Sequence, residues 1–229
     1  MDVRGILFDL DDTLYEYAPC NARGLEAAGE MLRRRVGVAF ADFMELHDEV
    51  RGQLARELRG QAASHNRALF FKRMVERLIE RPEPGLVREL YECYWQAFYN
   101  HVKPHPEMHR VLEKLNARYR MALVSNHTTL PQLGKIEVLD IGLYFPVVVT
   151  SEEAGVEKPD PGIFRLALAQ LELEAAEAVF VGDSLRGDIE GAAQLGMGTI
   201  HTVEFIGETS EESIADHTIL NLVDLLDLL

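Results

Sequence analysis

The chain has 229 residues, of which 47% are hydrophobic, and it carries a net charge of −15 at pH 7. This composition can fill a core and excludes a disordered chain, and the acidic balance argues against binding to nucleic acid or to an anionic membrane surface. The two cysteines, Cys20 and Cys93, indicate neither a disulfide framework nor a metal site. Since no secretory signal or bilayer-length apolar run is evident, we expect a reduced, cytoplasmic, soluble protein.

The first predicted element is a short buried strand, residues 3–9, which runs directly into carboxylates. The apolar run Ile6 to Phe8 is followed by Asp9, Asp11 and Asp12. A single aspartate at such a position is usually a turn or cap residue. Clustered carboxylates, in contrast, repel one another and are difficult to ionise together without a cation. The strand end therefore indicates either a metal site or a carboxylate pair with split protonation.

Residues 20–101 are predicted to be helical, with apolar residues at three- and four-residue spacing and breaks near Gly37, at 60–64 and at 82–85. This pattern indicates a bundle of four or five helices. The segment 16–103 is nearly neutral, with 14 Lys/Arg against 13 Asp/Glu, whereas the rest of the chain has 9 against 25. Such an acidic region repels an anionic substrate unless a cation and well-placed lysines offset its charge.

From residue 104 onward the pattern changes to alternating strands and helices. Strands are predicted at 121–124, 147–150, 178–181, 199–203 and around Ile219, and helices at 130–139, 161–171, 185–195 and 222–229. This alternation is typical of a doubly wound parallel sheet covered by helices. We therefore predict an α/β fold whose core is formed by residues 1–15 and 104–229, with residues 16–103 inserted as a helical domain.

Polar residues follow four of the predicted strands. Asp9 and Asp11 end the first, Ser125 and Asn126 the second, Lys158 lies just past the third, and Asp183 ends the fourth, with Asp188 five residues later. Each group alone is typical of a turn or a cap. Because the carboxyl ends of parallel strands share one edge of the sheet, the four groups are expected to converge.

The residue types suit phosphoryl transfer. A carboxylate can attack phosphorus, and Asp9 is the candidate nucleophile. Asp11 can exchange a proton with the leaving oxygen and with water. Asp183 and Asp9 offer hard oxygen ligands suited to Mg²⁺. Ser125 and Lys158 can hold phosphoryl oxygens.

These motifs resemble those of the haloacid dehalogenase (HAD) superfamily. Asp-Leu-Asp-Asp-Thr-Leu (9–14) is similar to its first motif, Ser125 to the second, Lys158 to the third and Gly182-Asp183 through Asp188 to the fourth. The resemblance implies a Rossmann-like core with a helical cap, Asp9 as nucleophile and Asp11 as general acid/base. It also implies Mg²⁺ bound by Asp9, Asp183 and the backbone carbonyl of Asp11, with Asp188 in support. Position 12, often glycine in the superfamily, is Asp12 here.

Asp11 favours one branch of this superfamily. An alkoxide leaving group needs a proton, whereas a halide does not, so the resemblance implies a phosphatase acting on a small phosphorylated metabolite. A phosphomutase or a 2-haloacid dehalogenase of the same fold stays open. A phosphate-accepting binding or signalling module without turnover is an alternative of a different class. The oligomeric state is not indicated.

The inserted helices are expected to select the substrate. Their clearest polar cluster is Ser64-His65-Asn66-Arg67. Either Ser64 caps the following helix and the others are solvated, or His65, Asn66 or Arg67 binds the leaving group near the phosphate site. Asn126 is a further candidate at the phosphate site. His105 and His109 are predicted to be helix-surface histidines rather than a metal pair.

Overall fold

The computed structural model describes residues 3–206 and 213–229. The chain forms two compact units, one from Met1–Glu16 and Lys103–Leu229 and one from Tyr17–Val102. Residues 1, 2 and 207–212, which the sequence analysis assigned to the α/β core, lie outside the described residues. Within the described chain, none of the helices combines the length and the apolar character needed to cross a bilayer.

The first unit is built on a six-stranded sheet in which every pairing is parallel. The strands are β1 (Gly5–Phe8), β2 (Arg120–Ser125), β3 (Val147–Thr150), β4 (Ala178–Gly182), β5 (Gly198–Thr202) and β6 (His217–Ile219). Their order in the sheet is β3-β2-β1-β4-β5-β6, so the chain winds outward in both directions from the central β1. This order confirms the predicted doubly wound α/β fold.

The centre of the sheet is apolar on both faces, as a strand covered by helices on each side requires. All four residues of β1 are buried. On one face, Leu7 and Phe180 belong to a core cluster with Ile163, Phe164 and Ala167. The helices of this unit are α5 (Met108–Asn116), α6 (Thr129–Leu139), α7 (Ser151–Ala154), α8 (Pro161–Leu171), α9 (Gly191–Ala193) and α10 (Leu225–Leu228).

The helix predicted at 185–195 is present over residues 185–193, but it is not a regular α-helix. Residues Leu185–Glu190 form a π-helical turn, which continues as the short α9. The carbonyl of Ser184 accepts hydrogen bonds from the backbone N–H groups of both Asp188 and Ile189, at 2.8 and 3.2 Å. This wider turn carries Asp188 back toward the end of β4. Similarly, the predicted helix at 222–229 begins as a 3₁₀ turn, Leu222–Asp224, before α10.

The prediction for His105 is also wrong. Helix α5 starts only at Met108, so His105 does not lie on it. Its Nε2 atom lies 2.6 Å from a carboxylate oxygen of Glu204, and both side chains are mostly buried. His105 is therefore a partner of Glu204 and not a helix-surface residue.

The second unit consists of helices packed around aromatic residues. Its core includes Phe43, Phe71, Met74, Tyr94 and Phe98, all fully buried, and the ring of Tyr94 contacts those of Phe71 and Phe98. The helices are α1 (Tyr17–Val36), α2 (Phe40–Glu57), α3 (Arg67–Ile79) and α4 (Pro84–Tyr99), with a 3₁₀ turn at Ala62–His65. Helices α1 and α4 pack so closely that a Cβ added at Gly24 would lie 2.6 Å from the ring of Tyr94.

Candidate active site

Asp9 and Lys158 form the centre of the site. Asp9 follows β1 directly, and its N–H continues the sheet by donating to the carbonyl of Val181 at 2.9 Å. The Lys158 ammonium donates to Asp9 Oδ1, contacts Asp188 Oδ1 at 2.7 Å and donates to the carbonyl of Val124 at 2.9 Å. One buried cation therefore connects the ends of three strands.

Asn126 fixes the backbone of Lys158. Its side-chain amide donates to the Lys158 carbonyl at 3.0 Å and accepts from the Lys158 N–H at 2.7 Å. A paired amide contact of this kind fixes both the position and the direction of the lysine segment. Asn126, predicted as a phosphate-site residue, is thus placed to orient Lys158.

Three carboxylates come together beside Lys158. Asp9, Asp183 and Asp188 each offer an oxygen, and these atoms all lie within 4.8 Å of one another. Burial raises the pKa of Asp9 to about 7, against the lowering effect of Lys158. Burial, followed by the charges of Asp9 and Asp188, raises the pKa of Asp183 to about 8. Two buried carboxylates and one half-buried carboxylate beside a single lysine are difficult to ionise together, and hard oxygen ligands fit a small divalent cation.

The π-helical turn brings Asp188 into this group. Its Oδ2 accepts from the Ser184 N–H at 3.0 Å, and only 1% of the residue is exposed. A Cβ at position 182 would lie 2.3 Å from Asp188 Oδ2. The close approach of Asp188 to the end of β4 therefore requires glycine at position 182.

His201, in β5, is hydrogen-bonded to the backbone of Asp183. It is fully buried, and its Nε2 donates to the backbone carbonyl of Asp183 at 3.0 Å. His201 was not among the predicted site residues. The available signal was a histidine within a predicted strand that follows, along the chain, the strand before Asp183.

Gln132, in α6, positions Ser125. The Gln132 amide donates to Ser125 Oγ, and both side chains are buried. Because one lone pair of Oγ is occupied in this way, the Ser125 hydroxyl hydrogen is directed elsewhere and can donate to a phosphoryl oxygen. Gln132 was also not among the predicted site residues, since it lies within the helix predicted at 130–139 and not at a strand end.

The carboxylate of Asp11 is bound by Lys135 and Tyr15. Both of its oxygens accept from the ammonium of Lys135, at 2.8 and 2.7 Å. Oδ1 also accepts from the hydroxyl of the buried Tyr15 at 2.5 Å. The side chain of Asp11 is therefore not part of the group formed by Asp9, Asp183 and Asp188. That the backbone carbonyl of Asp11 binds the metal stays a prediction.

Asp12 adopts the left-handed backbone conformation in the turn after β1. Its φ is +57°, in the left-handed region that glycine, asparagine and aspartate adopt most easily. The turn is closed by the Asp12 N–H, which donates to the Tyr15 carbonyl at 3.0 Å. An aspartate can therefore occupy a position where glycine is also suitable.

The predicted substrate residues of the helical unit have structural contacts within that unit. Asn66, and not Ser64, caps α3, because Asn66 Oδ1 accepts from the N–H groups of Ala68 and Leu69. Arg67 is buried; its guanidinium donates to the His65 carbonyl at 3.1 Å and to the Tyr17 hydroxyl at 2.5 Å. Substrate binding by His65, Asn66 or Arg67 stays a prediction.

The chain is similar to known proteins along most of its length. The family model for haloacid dehalogenase-like hydrolases matches residues 3–196. The chain belongs to this family. The match covers β1, the helical unit and β2 to β4, and therefore every strand end that carries a candidate residue.

Curated relatives of this hydrolase are named as phosphatases. Ribulose-1,5-bisphosphate 5-phosphatase of Halopiger xanaduensis is 39% identical over 97% of this chain and 98% of its own length. Glyceraldehyde 3-phosphate phosphatase of Methanopyrus kandleri is 33% identical over 86% of this chain and 83% of its own. The chain is thus a HAD-like phosphatase.

Solved structures of this family share the whole fold of the hydrolase. A 2-haloacid dehalogenase from Pseudomonas syringae has a TM-score of 0.81 at 26% identity, over 99% of this chain and 97% of that chain. A HAD phosphatase from Thermococcus onnurineus has a TM-score of 0.76, with the same identity and coverage. Because both reactions occur on this fold, the site residues and not the fold decide between them.

Proposed function

We propose that the protein is a Mg²⁺-dependent phosphatase that hydrolyses a small phosphorylated sugar through an aspartyl-phosphate on Asp9. One observation carries this proposal: a buried carboxylate, Asp9, held by Lys158 beside two further carboxylates, with Asp11 two residues along the chain. This set combines a nucleophile, a proton carrier and a cation site.

The proposed chemistry has two steps. In the first, a carboxylate oxygen of Asp9 attacks phosphorus, the bond to the ester oxygen breaks, and Asp11 protonates the departing alkoxide. In the second, Asp11 removes a proton from water, whose oxygen attacks the phosphorus and releases phosphate and the Asp9 carboxylate. Ser125 and Lys158 hold the phosphoryl oxygens in both steps.

The metal site would be formed by Asp9, Asp183 and the backbone carbonyl of Asp11, with Asp188 in support. When bound, Mg²⁺ offsets the carboxylate charge and so allows an anionic phosphoryl group to approach. The raised pKa values of Asp9 and Asp183 support this assignment, since a cation is what lets both ionise at neutral pH.

The substrate class rests on the relatives. A pentulose bisphosphate phosphatase and a triose phosphate phosphatase are each similar to most of this chain. We therefore propose a phosphorylated sugar, hydrolysed in the cytoplasm. The helical unit is proposed to act as the substrate-selecting cap, with His65, Asn66 and Arg67 as its candidates.

Asp11 supports a phosphatase over a dehalogenase. Halide leaves carbon without a proton, so a dehalogenase has no use for a carboxylate that exchanges protons at this position. A phosphomutase would need Asp11 as well, and it differs only in the acceptor that takes the phosphoryl group from Asp9.

The test is phosphate release from a panel of sugar phosphates with Mg²⁺. Asp9→Asn is expected to lower kcat/KM by at least about 1,000-fold, since it removes the nucleophile, and EDTA is expected to abolish turnover until Mg²⁺ is restored. Asp227→Asn, at an exposed position, is the matched control and is expected to match the parent protein. Activity that survives Asp9→Asn or EDTA, or halide release from 2-haloacids without phosphate release, contradicts the proposal.

A further inference from the structure

Lys135 is a buried lysine whose ammonium forms a salt bridge with Asp11. The residue is fully buried in α6, and its Nζ donates to both carboxylate oxygens of Asp11. We infer that Lys135, together with Tyr15, is the positioning residue for the acid/base carboxylate. This inference rests on the proposed function, because it assigns the orientation of Asp11 a part in phosphate ester hydrolysis.

Stability alone does not account for the pair. Moving an ammonium out of water costs several kcal/mol, and replacing a buried ion pair by apolar residues is often neutral or stabilising. The buried face of α6 otherwise includes Ile136 and Leu139, which an apolar residue at position 135 could extend. A lysine at this position is therefore better explained by what it does to Asp11.

The contacts hold Asp11 from two sides. Lys135 binds both oxygens, and the Tyr15 hydroxyl donates to Oδ1. The backbone of the 11–15 turn is closed by the Asp12 N–H and the Tyr15 carbonyl, so the side chain that donates belongs to the same turn as the side chain that accepts. The carboxylate consequently has one defined orientation, set by α6 and by its own turn.

The same helix also supports the phosphate holder. Gln132 and Lys135 are three residues apart, which places them on one face of α6. Gln132 donates to Ser125 and Lys135 donates to Asp11. Helix α6 thus presents two polar side chains to the site, one for the group that holds phosphate and one for the group that carries the proton.

This role has a chemical signature. An alkoxide is a strong base and leaves only as a proton arrives, whereas p-nitrophenolate is a weak base and leaves without one. A defect in the orientation of the proton carrier therefore slows the first step with a sugar phosphate far more than with p-nitrophenyl phosphate. A general loss of folding or of phosphate binding slows both substrates equally.

The experiment compares kcat/KM for p-nitrophenyl phosphate and for the best sugar phosphate. For Lys135→Met, the ratio of sugar phosphate to aryl phosphate activity is expected to fall about 10- to 100-fold, mainly in kcat. Asp11→Asn gives the limit of this effect. Tyr15→Phe is expected to change the ratio in the same direction but less, and Lys114→Met, an exposed lysine of α5, is expected to leave it unchanged.

Equal losses on both substrates, or no loss on either, would overturn the inference. If circular dichroism shows that Lys135→Met does not fold, the same ratio of sugar phosphate to aryl phosphate activity is measured for Tyr15→Phe and Lys135→Arg. An unchanged ratio in both of these variants would also overturn the inference. Failure of the proposed function looks different, because the parent protein would then hydrolyse neither ester, or Asp9→Asn would remain active.

Discussion

At the scale of single residues, Lys158 determines the charge state of the site. Burial alone would lower its pKa, but the carboxylates of Asp188 and Asp9 outweigh burial and raise that pKa above its usual range. The ammonium therefore stays charged, and it partly offsets the burial that raises the pKa of Asp9. Lys158 contacts the proposed nucleophile Asp9 and the carboxylate of Asp188 at once, so its removal would leave Asp9, Asp183 and Asp188 without this counter-charge.

Gln132 is expected to act only through Ser125. Gln132→Leu removes the amide that fixes the Ser125 hydroxyl, and we expect kcat/KM to fall about 10-fold. Ser125→Ala removes the hydroxyl itself, so the double variant is expected to be no worse than Ser125→Ala alone. A double-mutant cycle on kcat/KM measures this. Losses that add would contradict it, and Gln170→Leu, at an exposed position, is the control.

The strand-end residues could be predicted because geometry and chemistry coincide there. Parallel strands bring their carboxyl ends to one edge, so Asp9, Ser125, Lys158 and Asp183 converge once the strands are recognised. Lys135 could not be predicted in the same way. A lysine within a helix is usually solvated, and only the packing of α6 beside the 11–15 turn reveals its partner.

At the scale of elements, the π-helical turn after β4 is shaped by one carboxylate. Asp188 lies against the end of β4 because position 182 has no side chain. The periodicity of residues 185–195 indicated a helix but not its type. Hydrophobic spacing does not show that the N–H groups of Asp188 and Ile189 both donate to the Ser184 carbonyl. π-helical turns occur frequently at functional sites, where they change the direction in which a side chain points.

Gly182→Ala is expected to destabilise the protein by about 1–3 kcal/mol, because its methyl group would overlap Asp188. Gly85→Ala is the matched control. A Cβ at position 85, in the first turn of α4, meets nothing within 4 Å, so we expect it to raise the free energy of unfolding by about 0.5–1 kcal/mol. Urea unfolding of both variants measures this, and equal effects would contradict it.

At the scale of the whole molecule, two units with different interiors share one chain. Most residues of the sheet core in the α/β unit are aliphatic, with Phe164 and Phe180 among them, whereas the core of the helical unit is rich in aromatic residues and includes a buried histidine. His47, in α2, is 4% exposed and packs between the rings of Phe43 and Phe70. The change from helices to strand–helix alternation near residue 103 could be recognised from periodicity, whereas the burial of His47 could not.

His47 is expected to make stability depend on pH. Burial lowers its pKa, a hydrogen bond with Asp48 acts against this, and the charge of Arg67 lowers it further. Below the unfolded value of about 6.5 the unfolded chain binds more protons than the folded one. The stability of the helical unit is therefore full above that pH and falls as the pH is lowered through it. We expect the free energy of unfolding in urea to fall less between pH 8 and pH 5 for His47→Phe than for the parent protein. An equal fall in both proteins would contradict this.

The position of β1 in the sheet has a consequence for biosynthesis. The strand lies between β2 and β4, and its partners are Arg120–Leu123 and Ala178–Val181. As the chain leaves the ribosome, the segment that bears Asp9 therefore has neither neighbour until more than a hundred further residues have been made. The helical unit, complete by Val102, can fold during this time. The proposed catalytic centre is thus among the last parts of the molecule to form, and a chain that stops before β4 cannot assemble it.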